Sequence, residues 1–149
     1  KEKAAIILMH MRGAPADMQR RPVYSDVISE IGSFLAGAAR LAERSGVSRG
    51  RIVIDPGIGF GKTVSHNLSI INRLGELTAL GYPVCVGVSR KSFIGGILGV
   101  KDPLDRIAGT LAASVLAIAG GADIIRVHDV LEAVMAARVA DSIIMERAV

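Results

Sequence analysis

Apolar residues gather in four short runs: AAIILMHM (4–11), RIVID (51–55), PVCVGVS (83–89) and ADIIRVHDV (122–130). Each is followed by a loop and then by a longer stretch in which apolar positions recur every three or four residues. The short runs predict buried strands, and the longer stretches predict amphipathic helices. The first helix is expected over 26–44, with Ser25 or Asp26 as N-cap and Gly46 as its stop. The second spans 66–80, with Ile70, Ile71, Leu74 and Leu77 on one stripe and Gly81 beyond its end. The third opens at Asp102-Pro103-Leu104-Asp105, an N-cap, a first-turn proline and an acidic residue, and runs to Gly120-Gly121. The last occupies 130–147. Strand and helix alternate four times with no hairpin signal, so the fold class is α/β, a parallel sheet with helices outside it. No linker or low-complexity stretch divides the chain, which reads as one domain over 1–149.

Composition narrows this picture. Half of the 149 residues are hydrophobic but only 3% are aromatic, so Ala, Ile, Leu, Val and Gly must fill the core. The net charge of +4 is carried by scattered Lys and Arg, without a run or interleaved aromatics. An anionic small molecule is a better partner for that pattern than nucleic acid. The single cysteine, Cys85, excludes an internal disulfide framework and lies in an apolar run, as a core residue would. No apolar run reaches the roughly 18 residues of a membrane span, and no secretory pattern is present, so a cytoplasmic chain with no membrane partner is expected.

Four βα units suit either an open doubly wound sheet or part of an eightfold barrel, and in both the function gathers in the loops after the strands. Those loops are HMRGAPADMQ, DPGIGFGKT, SRKS and RVHDV. The second invites comparison with a nucleotide phosphate loop. That pattern requires a glycine five residues before Gly61, where this chain has Pro56, a residue with no N–H to aim at phosphate.

Strand alternation puts Asp55 on a face with Val53, Arg126 and His128 on one with Ile124, Gly87 and Ser89 with Lys91, and Met9 with Met11. If those faces point inward, a carboxylate, an ammonium, a guanidinium and an imidazole converge on a thioether-lined pocket. The carboxylate suits the paired N–H groups of a 2-amino-4-oxo heterocycle, Lys91 suits its acceptors, and Arg126 with His128 suits an anion. Ser92, placed to begin a helix, offers a site for a second substrate's carboxylate beside Phe60. Each residue also has a bland reading. Asp55 can cap the Pro56-Gly57 turn, and Arg126 can pair with Asp129 or Glu132. His128 can be structural, the methionines core, and Ser92 an N-cap. Lys91 is harder to dismiss, because a cation at a helix start opposes the dipole.

The motifs LMHMRG, DPGIGFGKT with the following HN, VGVSRKSFIG and IIRVHDV, in this order and spacing, resemble the second half of the dihydropteroate synthase family. The resemblance covers essentially the whole chain. It implies an enzyme that joins 6-hydroxymethyl-7,8-dihydropterin pyrophosphate to p-aminobenzoate, releases pyrophosphate, uses Mg2+ on that pyrophosphate and pairs as a homodimer through late helices. Asp55 and Lys91 would hold the two edges of the pterin, with Met9 and Gly87 lining its slot and Gly59 also among the substrate-binding residues. Phe60 would pack on p-aminobenzoate, with Ser92 and Arg90 at its carboxylate, while Arg126 and His128 would grip the departing pyrophosphate. Lys91, Asp55, Arg126 and His128 would be the catalytic set, and no metal ligand is expected in this chain. The implied fold is a TIM (β/α)8 barrel, which needs about 250 residues. The four units are therefore expected to be its C-terminal half, strands 5–8. Such a piece would lack the first strand's loop, the other pterin contacts and much of the metal site, and would expose barrel interior and sheet edges. Two rivals stand beside this reading: a pterin-dependent methyltransferase domain of the same barrel type, and a non-catalytic half-barrel that binds pterin or only dimerises.

Overall fold

The computed structural model describes residues 4–14, 18 and 22–146. Strand β1 (Ile6–Met9) pairs in parallel with β2 (Ile52–Asp55), Ile6 facing Ile52 and Met9 facing Asp55. Strand β3 (Cys85–Val86) pairs in parallel with β4 (Ile124–Ile125). A parallel bridge from Ile54 to Val84, with Ile54 N–H donating to Pro83 O at 2.9 Å, joins the two pairs in the order β1-β2-β3-β4. All four strand ends that precede the chemical loops therefore point the same way.

Between the strands run α1 (Val27–Arg44), α2 (Val64–Asn72), α3 (Gly75–Thr78), α4 (Ser92–Leu98), α5 (Ile107–Ala119) and, last, α6 (Val130–Ile144). Helix α1 starts where the sequence places it, because the Asp26 carboxylate accepts from Ser29 N–H at 2.7 Å. The helix expected over 66–80 is two pieces. It begins earlier, at Val64, under a Thr63–His66 capping box, and it breaks after Asn72. Arg73 there turns its guanidinium onto Asp26 and Glu76, and Gly75 is a poor helix former. The Asp102 cap also forms, but Pro103–Arg106 is a 3-10 turn before α5 begins at Ile107. The last helix, expected over 130–147, ends at Ile144 with Met145 as its C-cap, and residue 147 lies outside the described residues.

Helices cover one face of the sheet. Ile52, Ile54, Val84, Val86 and Val88 are fully buried against Ile31, Leu35, Ile70, Leu74 and Leu77. The opposite face is open: Ile7 is 54% exposed and Ile124 is 41% exposed, although both are strand residues. Asp55, Gly87 and Arg126 lie on the side of the sheet away from the helices.

Candidate active site at the strand ends

The loop after β2 doubles back against the end of β1. Gly57 (φ +66°) and Gly61 (φ +64°) make this possible, since a Cβ at Gly57 would stand 1.9 Å from the His10 carbonyl oxygen and one at Gly61 2.3 Å from that of Arg12. Three of the loop's N–H groups are engaged internally. Gly57 N–H donates to Asp55 Oδ1 at 2.7 Å, Gly59 N–H to Asn67 Oδ1 at 2.8 Å, and Phe60 N–H to Gly57 O at 3.0 Å. A phosphate cradle aims such groups outward, so the nucleotide-loop reading fails on geometry as well as on spacing.

Asp55 is buried, with Oδ1 on Gly57 and Oδ2 3.8 Å from the Arg126 guanidinium. Burial pushes its carboxyl above the ordinary range, opposed by the Gly57 N–H and by the positive charges of Arg126, Lys91 and Lys62. Arg126 reaches over Gly87, whose missing side chain makes room: a Cβ there would stand 3.0 Å from the guanidinium nitrogen. The pairing of Arg126 with Asp129 or Glu132 does not occur. Asp129 instead binds Arg90 through two hydrogen bonds, at Nε (3.1 Å) and at a terminal nitrogen.

Lys91 lies along the glycine loop. Its ammonium donates to Ile58 O and stands 4.3 Å from the centre of the Phe60 ring, while its Cδ would meet a Cβ at Gly59 at 3.1 Å. Burial lowers its pKa to about 8, against the pull of Asp55. Lys91 is the N-cap residue of α4, in extended backbone, and Ser92 is the first helical residue. Ser92 is thus not the cap; its hydroxyl is exposed at the helix start. Met9 packs beside Gly57, with its Cγ 3.3 Å from where a Cβ would be. His128 is held on the β3 loop: Ser89 Oγ accepts from the His128 backbone N–H at 3.1 Å and lies 2.8 Å from its Nδ1. Met9, Asp55, Gly59, Phe60, Gly87, Lys91 and Arg126 thus form one continuous surface, with Arg90, Ser92 and His128 at its β3–β4 margin.

Several supports are absent from the sequence reading. Lys62 is buried, and its ammonium lies 3.1 Å from His10 Nδ1 and donates to Phe60 O at 3.0 Å. Burial draws its pKa down to about 7, and that of His10 to about 4. Asn67 holds the loop from inside α2; an asparagine one turn into a helix is out of character, and this was the available signal. No pattern in one sequence points to His10. Cys85 is buried and burial raises its thiol pKa, so it behaves as core. Among the described residues no three His, Cys, Asp or Glu side chains group as a metal site would require. One carboxylate among cations does not supply the oxygen shell that Mg2+ takes.

Residues 1–128 match the family described as pterin binding enzyme. The chain belongs to this family. It is 49% identical to a dihydropteroate synthase of Synechocystis over 96% of its own length and 50% of that protein's. Its fold superposes with a TM-score of 0.94 on a Yersinia pestis dihydropteroate synthase solved with a sulfonamide drug, at 37% identity, covering 97% of this chain and 53% of the other. Thermus thermophilus dihydropteroate synthase in complex with 6HMPPP superposes at a TM-score of 0.87 and 44% identity, over 93% of this chain and 55% of that one. The chain spans about half the length of the curated relatives it matches. Among the described residues no helix is long and apolar enough to cross a membrane.

Proposed function

We propose that the chain supplies the C-terminal half of a cytoplasmic dihydropteroate synthase, its four βα units being strands 5–8 of a (β/α)8 barrel within one pterin-binding domain. The observation that carries this is Asp55: a buried carboxylate, bonded on one side and flanked by Lys91 and Arg126, at the end of a sheet whose second face is open. A carboxylate so placed accepts the 2-amino and ring N–H groups of a pterin, and Lys91 donates to the oxo edge. The half-barrel reading is supported by the exposed Ile7 and Ile124 on the face that barrel closure would bury, and by the share of each relative's length that the chain covers.

In the reaction the exocyclic methylene carbon loses its bond to pyrophosphate oxygen and gains one to the aryl amine nitrogen, which then gives up a proton. The protein contributes position and charge, not a strong base. Arg126 and His128 take up charge on the departing pyrophosphate, Phe60 packs on the aryl ring, and Ser92 holds its carboxylate at the start of α4. Arg90 serves the same carboxylate only by sharing its guanidinium with Asp129. Mg2+ would supply positive charge against the pyrophosphate, and no protein ligand for it is proposed among these four units.

Titrating the chain with 6-hydroxymethyl-7,8-dihydropterin pyrophosphate is expected to show binding that Asp55→Asn abolishes. Binding equal in both forms, or in neither, ends this reading and leaves the non-catalytic half-barrel. Pyrophosphate release that depends on p-aminobenzoate, measured with the complementary half-barrel supplied, separates the synthase from a methyltransferase. The relatives named above are synthases, which favours the former.

A further inference from the structure

The turn that carries Lys91 contains an uncommon backbone. Arg90 has φ +58°, in the left-handed region, where a residue with a Cβ costs of order 1 kcal/mol. Such a conformation persists only if its surroundings impose it. Here the restraint comes from the 3-10 turn before α5 and from the first turn of α5 itself, which contribute nothing to the surface described above. Arg90 N–H donates to Thr110 Oγ1 at 3.0 Å, and Thr110 is fully buried. The Arg106 guanidinium donates to Arg90 O at 2.8 Å and, through its other terminal nitrogen, to Lys101 O. Both backbone polar groups of Arg90 are therefore fixed from one segment, the 3-10 turn and the α5 start that follows it. Arg106 gains access through Gly95 of α4, where a Cβ would stand 2.6 Å from its Nε. Close to the same turn, Lys91 N–H donates to Val88 O at 3.2 Å, and the Arg90 side chain is tied to Asp129.

We infer that Arg106 and Thr110 are positioning residues: they clamp the Arg90 peptide in its left-handed turn and thereby aim the Lys91 ammonium at the glycine loop and present the first turn of α4. This rests on the pterin-site reading for its functional consequence, but its structural part stands alone. Without the clamp, Arg90 relaxes to an ordinary φ, and the following residue swings away from Ile58 O and the Phe60 ring.

The test uses Thr110→Val, which keeps shape and removes the acceptor, Thr110→Ser, which restores it, and Arg106→Met as an independent variant should Thr110→Val not fold. In the wild-type chain Lys91 is expected to titrate near 8, followed through its side-chain NMR signals. Thr110→Val and Arg106→Met should move that titration up toward the ordinary lysine value of 10.5, and Thr110→Ser should return it. Arg90 amide exchange should speed up at least about tenfold in Thr110→Val, the factor for losing about 1.4 kcal/mol of protection. An unchanged Lys91 titration in both folded variants overturns the inference, whatever the amide does. Affinity for the pterin pyrophosphate should fall about tenfold with the titration shift. Absence of pterin binding by the wild-type chain defeats the functional reading, while the Lys91 titration still decides the clamp.

Discussion

At residue 57 and at residue 37 the same substitution has opposite consequences. Gly57→Ala places a methyl group against the His10 carbonyl and forces a side chain into φ +66°. It should cost about 3 kcal/mol, combining overpacking with left-handed strain. Gly37 lies inside α1 with nothing within 4 Å of its would-be Cβ, so Gly37→Ala should stabilise by about 0.5–1 kcal/mol. Urea unfolding of the two variants checks both signs. Lys62 brings a pH dependence. It is held near 7 in the fold against an ordinary 10.5, so between those values the unfolded chain binds more protons than the folded one. Stability therefore rises with pH through that window, and the cost of burying the ammonium is complete below it. Lys91 adds the same trend from about 8 upward. Urea midpoints should climb from pH 7 to pH 9.5, and Lys62→Met should flatten the climb. If the proposed pterin site holds, affinity for the pterin pyrophosphate should run the other way, declining above about pH 8 as Lys91 loses its charge.

Elements were the most legible level. Four aliphatic runs became four parallel strands, and Asp26, Asp102, Gly46 and Gly81 bound helices or turns where local chemistry requires it. These features are written in consecutive residues, so propensity and capping suffice to read them. The α2–α3 break was not legible, because its cause is partly remote: Arg73 bonds Asp26 across 47 positions. This gives a prediction for the element. Asp26→Ala removes both the α1 cap and a partner of Arg73, and should lower the melting temperature by more than the loss of the cap alone, which Arg73→Ala in the same background would reveal. Ser92 shows the same limit on a smaller scale. The sequence predicts a helix start there, but only backbone angles tell that Lys91 occupies the cap and Ser92 the first turn.

Across the whole molecule, the outer side of α6 is unusually apolar. Leu131, Met135, Val139 and Ile143, spaced four apart on α6, are all more than half exposed, and Leu116 of α5 is 61% exposed. A groove of about 660 Å³ between α2, α4 and α5, lined by Leu68, Phe93, Ile97 and Leu116, lies away from the strand-end chemistry. A homodimer through late helices, which the family resemblance implies, would bury the α6 stripe. Sedimentation should show association that Ile143→Lys weakens, with no change in Lys91 titration.

The order of the four βα units, the parallel sheet and the residue types at its strand ends follow from the sequence alone, because periodicity and turn chemistry are local. The family likeness likewise lay in four contiguous motifs. What only the tertiary structure decided is which partner each charge has. Arg126 faces Asp55 while Asp129 takes Arg90; Lys62 is buried on His10; and an α5 threonine fixes the turn before Lys91. Those pairings join residues far apart in the chain. They depend on strand register and on which side of the sheet is left open, and neither quantity is encoded within any single stretch.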